Sequence, residues 1–242
     1  MGAPVRPPLH EDHSGDADGY FAAQVALGGS IMPMMARAAL LLEFLAIFGG
    51  GPVLVMIVRA PLLFQLLLWL GALAAWRLTR NQHPPGLEAD GLRRELRAIV
   101  LRFVAVALVL VVVTRLAMPE AFFAFPWERP WLWLAVMVGY PLLSAWPQEM
   151  LYRRFAYSRY APLFGSGTGF IAASGLAFGY AHGIFLNPIA VALSAAGGLL
   201  FAANFARHRS LTLVWLEHSL YGCLIFTIGL GSFFFTGALW HP

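Results

Sequence analysis

The chain has 242 residues, no lysine, one cysteine and few charges of either sign; Asp, Glu and Arg together make up 12% of it. Each shortage excludes something. With Cys223 alone, no disulfide can form within the chain, and a thiolate zinc site loses its donors. The sparse charge leaves no stretch from which a large soluble domain could be built. All 16 basic residues are arginine, and the sequence pI is near 9.6. These arginines stand at the ends of apolar runs, as topology signals do, so no nucleic-acid partner is expected. What the chain has in plenty is apolar: 60% hydrophobic residues and a mean hydropathy of +0.71.

The N-terminus lacks the pattern of a secretory signal. It carries Glu11, Asp12, Asp16 and Asp18, and no apolar run follows a basic start. Residues 1–36 read as a flexible polar tail and 37–242 as a membrane domain. A helix needs about 20 apolar residues to cross the hydrocarbon. Spans are expected near 37–58 (broken by Gly49 to Pro52), 61–78, 98–117, from Trp131 through Pro141 and Pro147 into the Glu149 segment, 167–186 and 188–206. The stretch 210–240 is one long helix or two broken near Gly229 and Gly231. A polar loop with Asn81, Pro84 and Pro85 and an amphipathic stretch from Gly91 to Arg102 separate the second and third spans. The fold class is therefore all-α, a polytopic transmembrane helical bundle of seven or eight spans.

Charge orients this map. Arg77, Arg80, Arg93, Arg94, Arg97 and Arg102 fall between the second and third spans, Arg153, Arg154 and Arg159 after the fourth, Arg207 and Arg209 after the sixth. These are alternate loops, so all are expected to be cytoplasmic, with the N-terminus.

Against this background, polar residues within apolar segments carry the information. A charged group at mid-bilayer costs roughly 3 kcal/mol on the mildest scale and survives by pairing or by lining a wet cavity. Three segments hold such groups. Gln148 and Glu149 precede Arg153, and Glu149 and Arg153, four apart, share a helical face. Alone, this reads as a stop-transfer end with snorkelling arginines and Glu149 as a paired passenger. Phe178 and His182 share a face beside the small residues Ala173, Ser174, Gly175 and Gly179; alone, His182 reads as an interhelical hydrogen-bonding group. Glu217 and His218 lie in a third apolar run, with His218, Tyr221 and Gly222 on one face and Glu217 about 100° away, placed to orient another histidine or to serve as a second acid. Together, a carboxylate and two histidines can polarise a water for attack on an amide and stabilise the oxyanion. No serine has a G-x-S-x-G setting and there is no H-E-x-x-H.

These segments resemble the three motifs of the CAAX protease and bacteriocin-processing family, intramembrane proteases related to the prenyl-protein endopeptidase Rce1. The E-E-x-x-x-R motif is matched by Gln148, Glu149 and Arg153, the F-x-x-x-H motif by Phe178 and His182, and the H-x-x-x-N motif by His218 with Gly222 in place of Asn. The resemblance covers about residues 130–240, and its P-Q-E reading is similar to a bacterial branch. It implies a metal-independent intramembrane endopeptidase of a bacterial inner membrane, acting on a membrane-associated peptide or protein. Carried over, the roles are Glu149 as general base, His182 as its partner at the water and His218 as oxyanion stabiliser. Gln148 and Asn204 are candidates for the missing amide, and Arg153 holds Glu149 or braces its helix. No cofactor is expected; zinc on Glu149, His182 and His218 is the less favoured alternative. Gln148 and Gly222 motivate a rival, a catalytically silent binding or immunity scaffold. A proton-coupled transporter using the same groups as a relay is a further rival.

Overall fold

A computed structural model describes residues 33–82 and 88–234. Most of the expected polar tail, Pro84 and Pro85 of the second loop, and the end of the 210–240 stretch lie outside the described residues. Every regular element among the described residues is helical, as the all-α reading expects. Five helices are long and apolar enough to cross a membrane, and the seven-or-eight count goes beyond these five.

Helix α1 runs from Met34 to Val58. The Gly49–Gly51 cluster does not break it. A widened turn with i→i+5 bonds at Leu45–Gly50 carries the helix into Gly51–Val58, whose first turn accommodates Pro52. Helix α2 is Pro61–Thr79. Helix α3, Ala89–Ala117, joins the expected amphipathic stretch and the third span in one element of 29 residues. At 1.5 Å per residue it is longer than the roughly 30 Å of hydrocarbon, so its charged first turns can lie beyond it. A short helix α4, Ala124–Glu128, follows.

Helix α5 is a continuous run over 130–164, built from α-helical stretches joined by widened turns at Pro141–Ala145 and Met150–Phe155. Its prolines explain its shape. Pro147 has no N–H for the carbonyl of Leu143, and Pro141 has none for that of Met137. In hydrocarbon such carbonyls need other donors. Leu143 O accepts from Gln65 Nε2 (2.5 Å) and Trp69 Nε1 (3.2 Å) of α2, and Met137 O accepts from Cys223 Sγ at 3.7 Å. Trp215 Nε1 donates to Pro141 O at 2.7 Å. The first widened turn is thus pinned by neighbouring helices.

Helix α6, Thr168–Ala181, ends in a tight turn at His182–Phe185. Helix α7, Pro188–His208, starts at Asn187, whose side chain accepts from the N–H groups of Ile189 and Ala190. Helices α6 and α7 approach closely through small residues. A Cβ at Gly175 would lie 2.8 Å from the backbone of Leu199, and one at Gly179 2.6 Å from the Ala195 side chain. Helix α8, Leu211–Ile228, stops at Gly229, where φ is 104°. The break expected near Gly229 is found, with a tight turn at Leu230–Phe234 after it. A Cβ at Gly229 would strike the carbonyl of Ala121 before α4, so this turn needs glycine for both its conformation and its packing.

Candidate active site

The local fold of each segment decides what its polar group meets. Because α5 continues past Arg154 to residue 164, Arg153 is not at an interface but wholly buried. Its Nε lies 3.1 Å from Glu149 Oε2. The N–H direction misses the oxygen, so this is a Coulombic contact rather than an aligned hydrogen bond. Arg153 Nη1 donates to Ser174 Oγ on α6 at 2.8 Å, and the guanidinium sits 5.0 Å from the Phe178 ring. Arg153 therefore both neutralises Glu149 and ties α5 to α6. Arg154 turns the other way and donates to the carbonyls of Thr79 and Gln82 at the end of α2.

Glu149, also fully buried, accepts on Oε1 from His218 Nδ1 at 2.8 Å. An ionised carboxylate only accepts, so Nδ1 carries the hydrogen, and a neutral His218 then has its lone pair on Nε2. That nitrogen is 2.8 Å from Tyr140 Oη. The imidazole is clamped further by Phe201, stacked at 4.8 Å and 25°, and by the edge of Phe178 at 5.4 Å.

His182 is positioned by the end of α6. The last carbonyls of a helix lack intrahelical partners, and as α6 gives way to the tight turn, the carbonyl of Phe178 takes His182 Nδ1 at 2.8 Å. A carbonyl cannot donate, so Nδ1 holds the hydrogen and a neutral His182 has its free lone pair on Nε2.

His182, His218 and Gln148 line one cavity of about 310 Å³, together with Tyr140, Ser144 and Ser194. The remaining walls are chiefly apolar, from Val106 and Leu110 of α3, Leu193 and Leu200 of α7 and Ile225 and Phe226 of α8. Gln148 donates to Ser144 Oγ at 2.8 Å, while its Oε1 is buried with no hydrogen-bond partner among the described residues.

The structure thus brings Gln148, Phe178, His182, His218 and Gly222 to one cavity. Glu149 belongs to the cluster but does not line the cavity. Its carboxylate reaches it only through His218, which departs from the expectation that Glu149 meets the water directly. Asn204 and Glu217 are elsewhere. Glu217 is fully buried; its Oε1 takes Arg102 Nε at 3.1 Å and its Oε2 takes Asn204 Nδ2. Arg102 also bonds Glu95, which has His208 within 3.0 Å. Because Glu217 points about 100° from His218, it faces α3 and α7. Neither the missing-amide role for Asn204 nor the second-acid role for Glu217 fits this placement. Among the described residues, no three His, Cys, Asp or Glu side chains gather in a way that could hold a metal ion.

The sequence reading missed Tyr140. Its signal was present: Tyr140, Ser144 and Gln148 recur every fourth residue in an apolar run, one polar stripe along α5.

Residues 129–224 match the family model described as type II CAAX prenyl endopeptidase Rce1-like. No curated protein and no solved structure matches the chain. The matched segment begins just before α5 and ends inside α8, so it holds all three motifs and both cavity histidines. Over residues 129–224 the chain is thus similar to the Rce1-like family, a family of proteases, and its described residues hold several helices able to cross a membrane.

Proposed function

We propose that the protein is an intramembrane endopeptidase that hydrolyses a peptide bond of a membrane-associated substrate with a water activated by histidine. The observation that carries this reading is two histidines from different helices at one largely apolar cavity, one of them held by a buried carboxylate. His182 Nε2, its ring fixed by the Phe178 carbonyl, takes a proton from water. Gln148 Oε1, a buried acceptor with no other partner, holds that water's second hydrogen. The hydroxide adds to the peptide carbonyl, and the oxyanion forms beside His218, which Glu149 orients. The His182 proton passes to the departing amine, leaving a carboxylate and an amine as products. Glu149 therefore acts through His218, and Arg153 holds the Glu149 carboxylate in place.

The apolar walls suit an apolar segment entering from the bilayer. The Arg-rich loop and the N-terminus lie on the cytoplasmic side of a bacterial inner membrane in this reading. Purified protein in detergent, given a mixture of internally quenched peptides with and without chelator, tests it. Cleavage that survives chelator and is lost in His182→Ala supports the mechanism. Cleavage abolished by chelator restores the zinc alternative. A folded protein that cleaves none of the peptides favours the scaffold reading, to which Gln148 already points.

A further inference from the structure

A hydroxyl group stands between His218 and the cavity. Tyr140 Oη is 2.8 Å from His218 Nε2, and Tyr140 itself borders the cavity. Its ring meets His218 and Phe226 edge-on at 5.8 and 5.5 Å. The room for this phenol comes from residue 222. A Cβ at Gly222 would lie 2.5 Å from Tyr140 Oη and closer still to two ring carbons. Gly222 sits inside α8 without a positive φ, so its backbone does not require glycine. A glycine within a helix costs about 1 kcal/mol relative to alanine, and here the phenol is what needs it.

We propose that Tyr140 is the hydrogen-bond donor that meets the oxyanion, occupying the space that a side chain at residue 222 would fill. The proposal rests on the peptidase reading. A neutral His218 with its hydrogen on Nδ1 presents only a lone pair at Nε2 and has no hydrogen to give an oxyanion. Tyr140 has one. In the resting site the phenolic hydrogen goes to Nε2. A peptide carbonyl is a neutral acceptor and competes weakly for it. A tetrahedral oxyanion is charged, and hydrogen bonds to charged acceptors are about twice as strong as neutral ones. The phenolic hydrogen therefore swings to the substrate oxygen as charge develops, and no proton is transferred. Such a bond is stronger in the transition state than in the bound substrate, which is the condition for raising kcat rather than only lowering KM. Tyr221 also borders the cavity, but among the described residues its hydroxyl bonds neither histidine.

The test uses the full chain in detergent and a mixture of internally quenched peptides, each with an apolar segment of about 20 residues. Tyr140→Phe keeps the ring and removes only the hydroxyl. Its kcat is expected to fall about 10²–10³-fold, the usual effect of losing one oxyanion donor, with KM nearly unchanged. Gly222→Ala keeps the hydroxyl but displaces it, and is expected to lose kcat similarly. With ¹⁵N-labelled histidine, Tyr140→Phe should move the Nε2 resonance of His218 and leave that of His182 in place. A Tyr140→Phe protein with wild-type kcat overturns the proposal while leaving the peptidase reading intact, as does a loss seen only in KM. Absence of cleavage by the wild-type protein overturns the peptidase reading itself, and this role with it.

Discussion

His218 and Glu149, 69 positions apart in the chain, meet with Nδ1 2.8 Å from Oε1. Arg153 lies 3.1 Å from the other carboxylate oxygen. One wholly buried carboxylate thus holds both a cation that ties α5 to α6 and an imidazole that faces the cavity.

That double duty predicts a stability effect as well as a catalytic one. Glu149→Gln leaves Arg153 as an unpaired buried charge, a defect that costs about 3–5 kcal/mol. The double change Glu149→Gln with Arg153→Met removes both charges and should recover most of that stability without recovering activity. Thermal unfolding in detergent reads the first effect and peptide cleavage the second. A single variant that unfolds at the wild-type temperature would show that the pair is not buried as described.

His182→Ala should lower kcat by about 10²–10⁴, the range for losing general-base help, with little change in unfolding temperature. Gln148→Ala should lower it less, because an amide can hold a water but cannot take its proton. A steady-state comparison of the two variants decides this. The reverse order would move the base away from His182.

The bends of α5 depend on α2. Gln65→Leu removes one of two donors to the Leu143 carbonyl, and Gln65→Leu with Trp69→Phe removes both. A carbonyl left unpaired in hydrocarbon costs on the order of a few kcal/mol, so the double variant should unfold at a clearly lower temperature and the single variant at an intermediate one. Equal unfolding temperatures for all three proteins would mean that the carbonyl finds another donor.

Orientation is tested by single cysteines at exposed positions, Arg80→Cys and Glu120→Cys, in a chain whose Cys223 has been replaced. With the Arg-rich loop inside, an impermeant thiol reagent added to intact cells should label position 120 and spare position 80. Labelling of position 80 would invert the map.

Much of the fold was legible because membrane helices advertise themselves by length and apolarity. The limits of α2 and α7 fall within two residues of where hydropathy puts them. The long α5 was legible too, as the favoured of two ways for Glu149 to meet His182: a helix that runs on past Arg154, or a next helix that begins outside the bilayer core. The failures share a cause. A glycine cluster was expected to break α1, yet a widened turn at Leu45–Gly50 carries the helix through it; the expected passage of α5 through its prolines is found, but the donors from other helices that satisfy the freed carbonyls are not displayed by a linear reading. Asn204 and Glu217 were attached to the site because each is polar within an apolar helix. Only the packing reveals that they answer Arg102 on α3. Tyr140 escaped notice because a tyrosine within an apolar run is ordinary; the space it occupies comes from the absent side chain at Gly222, eighty-two residues later.

The carbonyl of Leu143 has one more implication. Gln65 and Trp69, which satisfy it, lie outside residues 129–224. The debt runs in both directions, for Arg154 closes the end of α2 through Thr79 and Gln82, and Arg159 grips Glu43 of α1 through both carboxylate oxygens. The portion that matches the family model is therefore smaller than the portion able to stand alone. A fragment cut at the boundaries of the family match would keep its three motifs and lose the scaffold that bends them into register, so the similarity marks out a candidate site here rather than an autonomous folding unit.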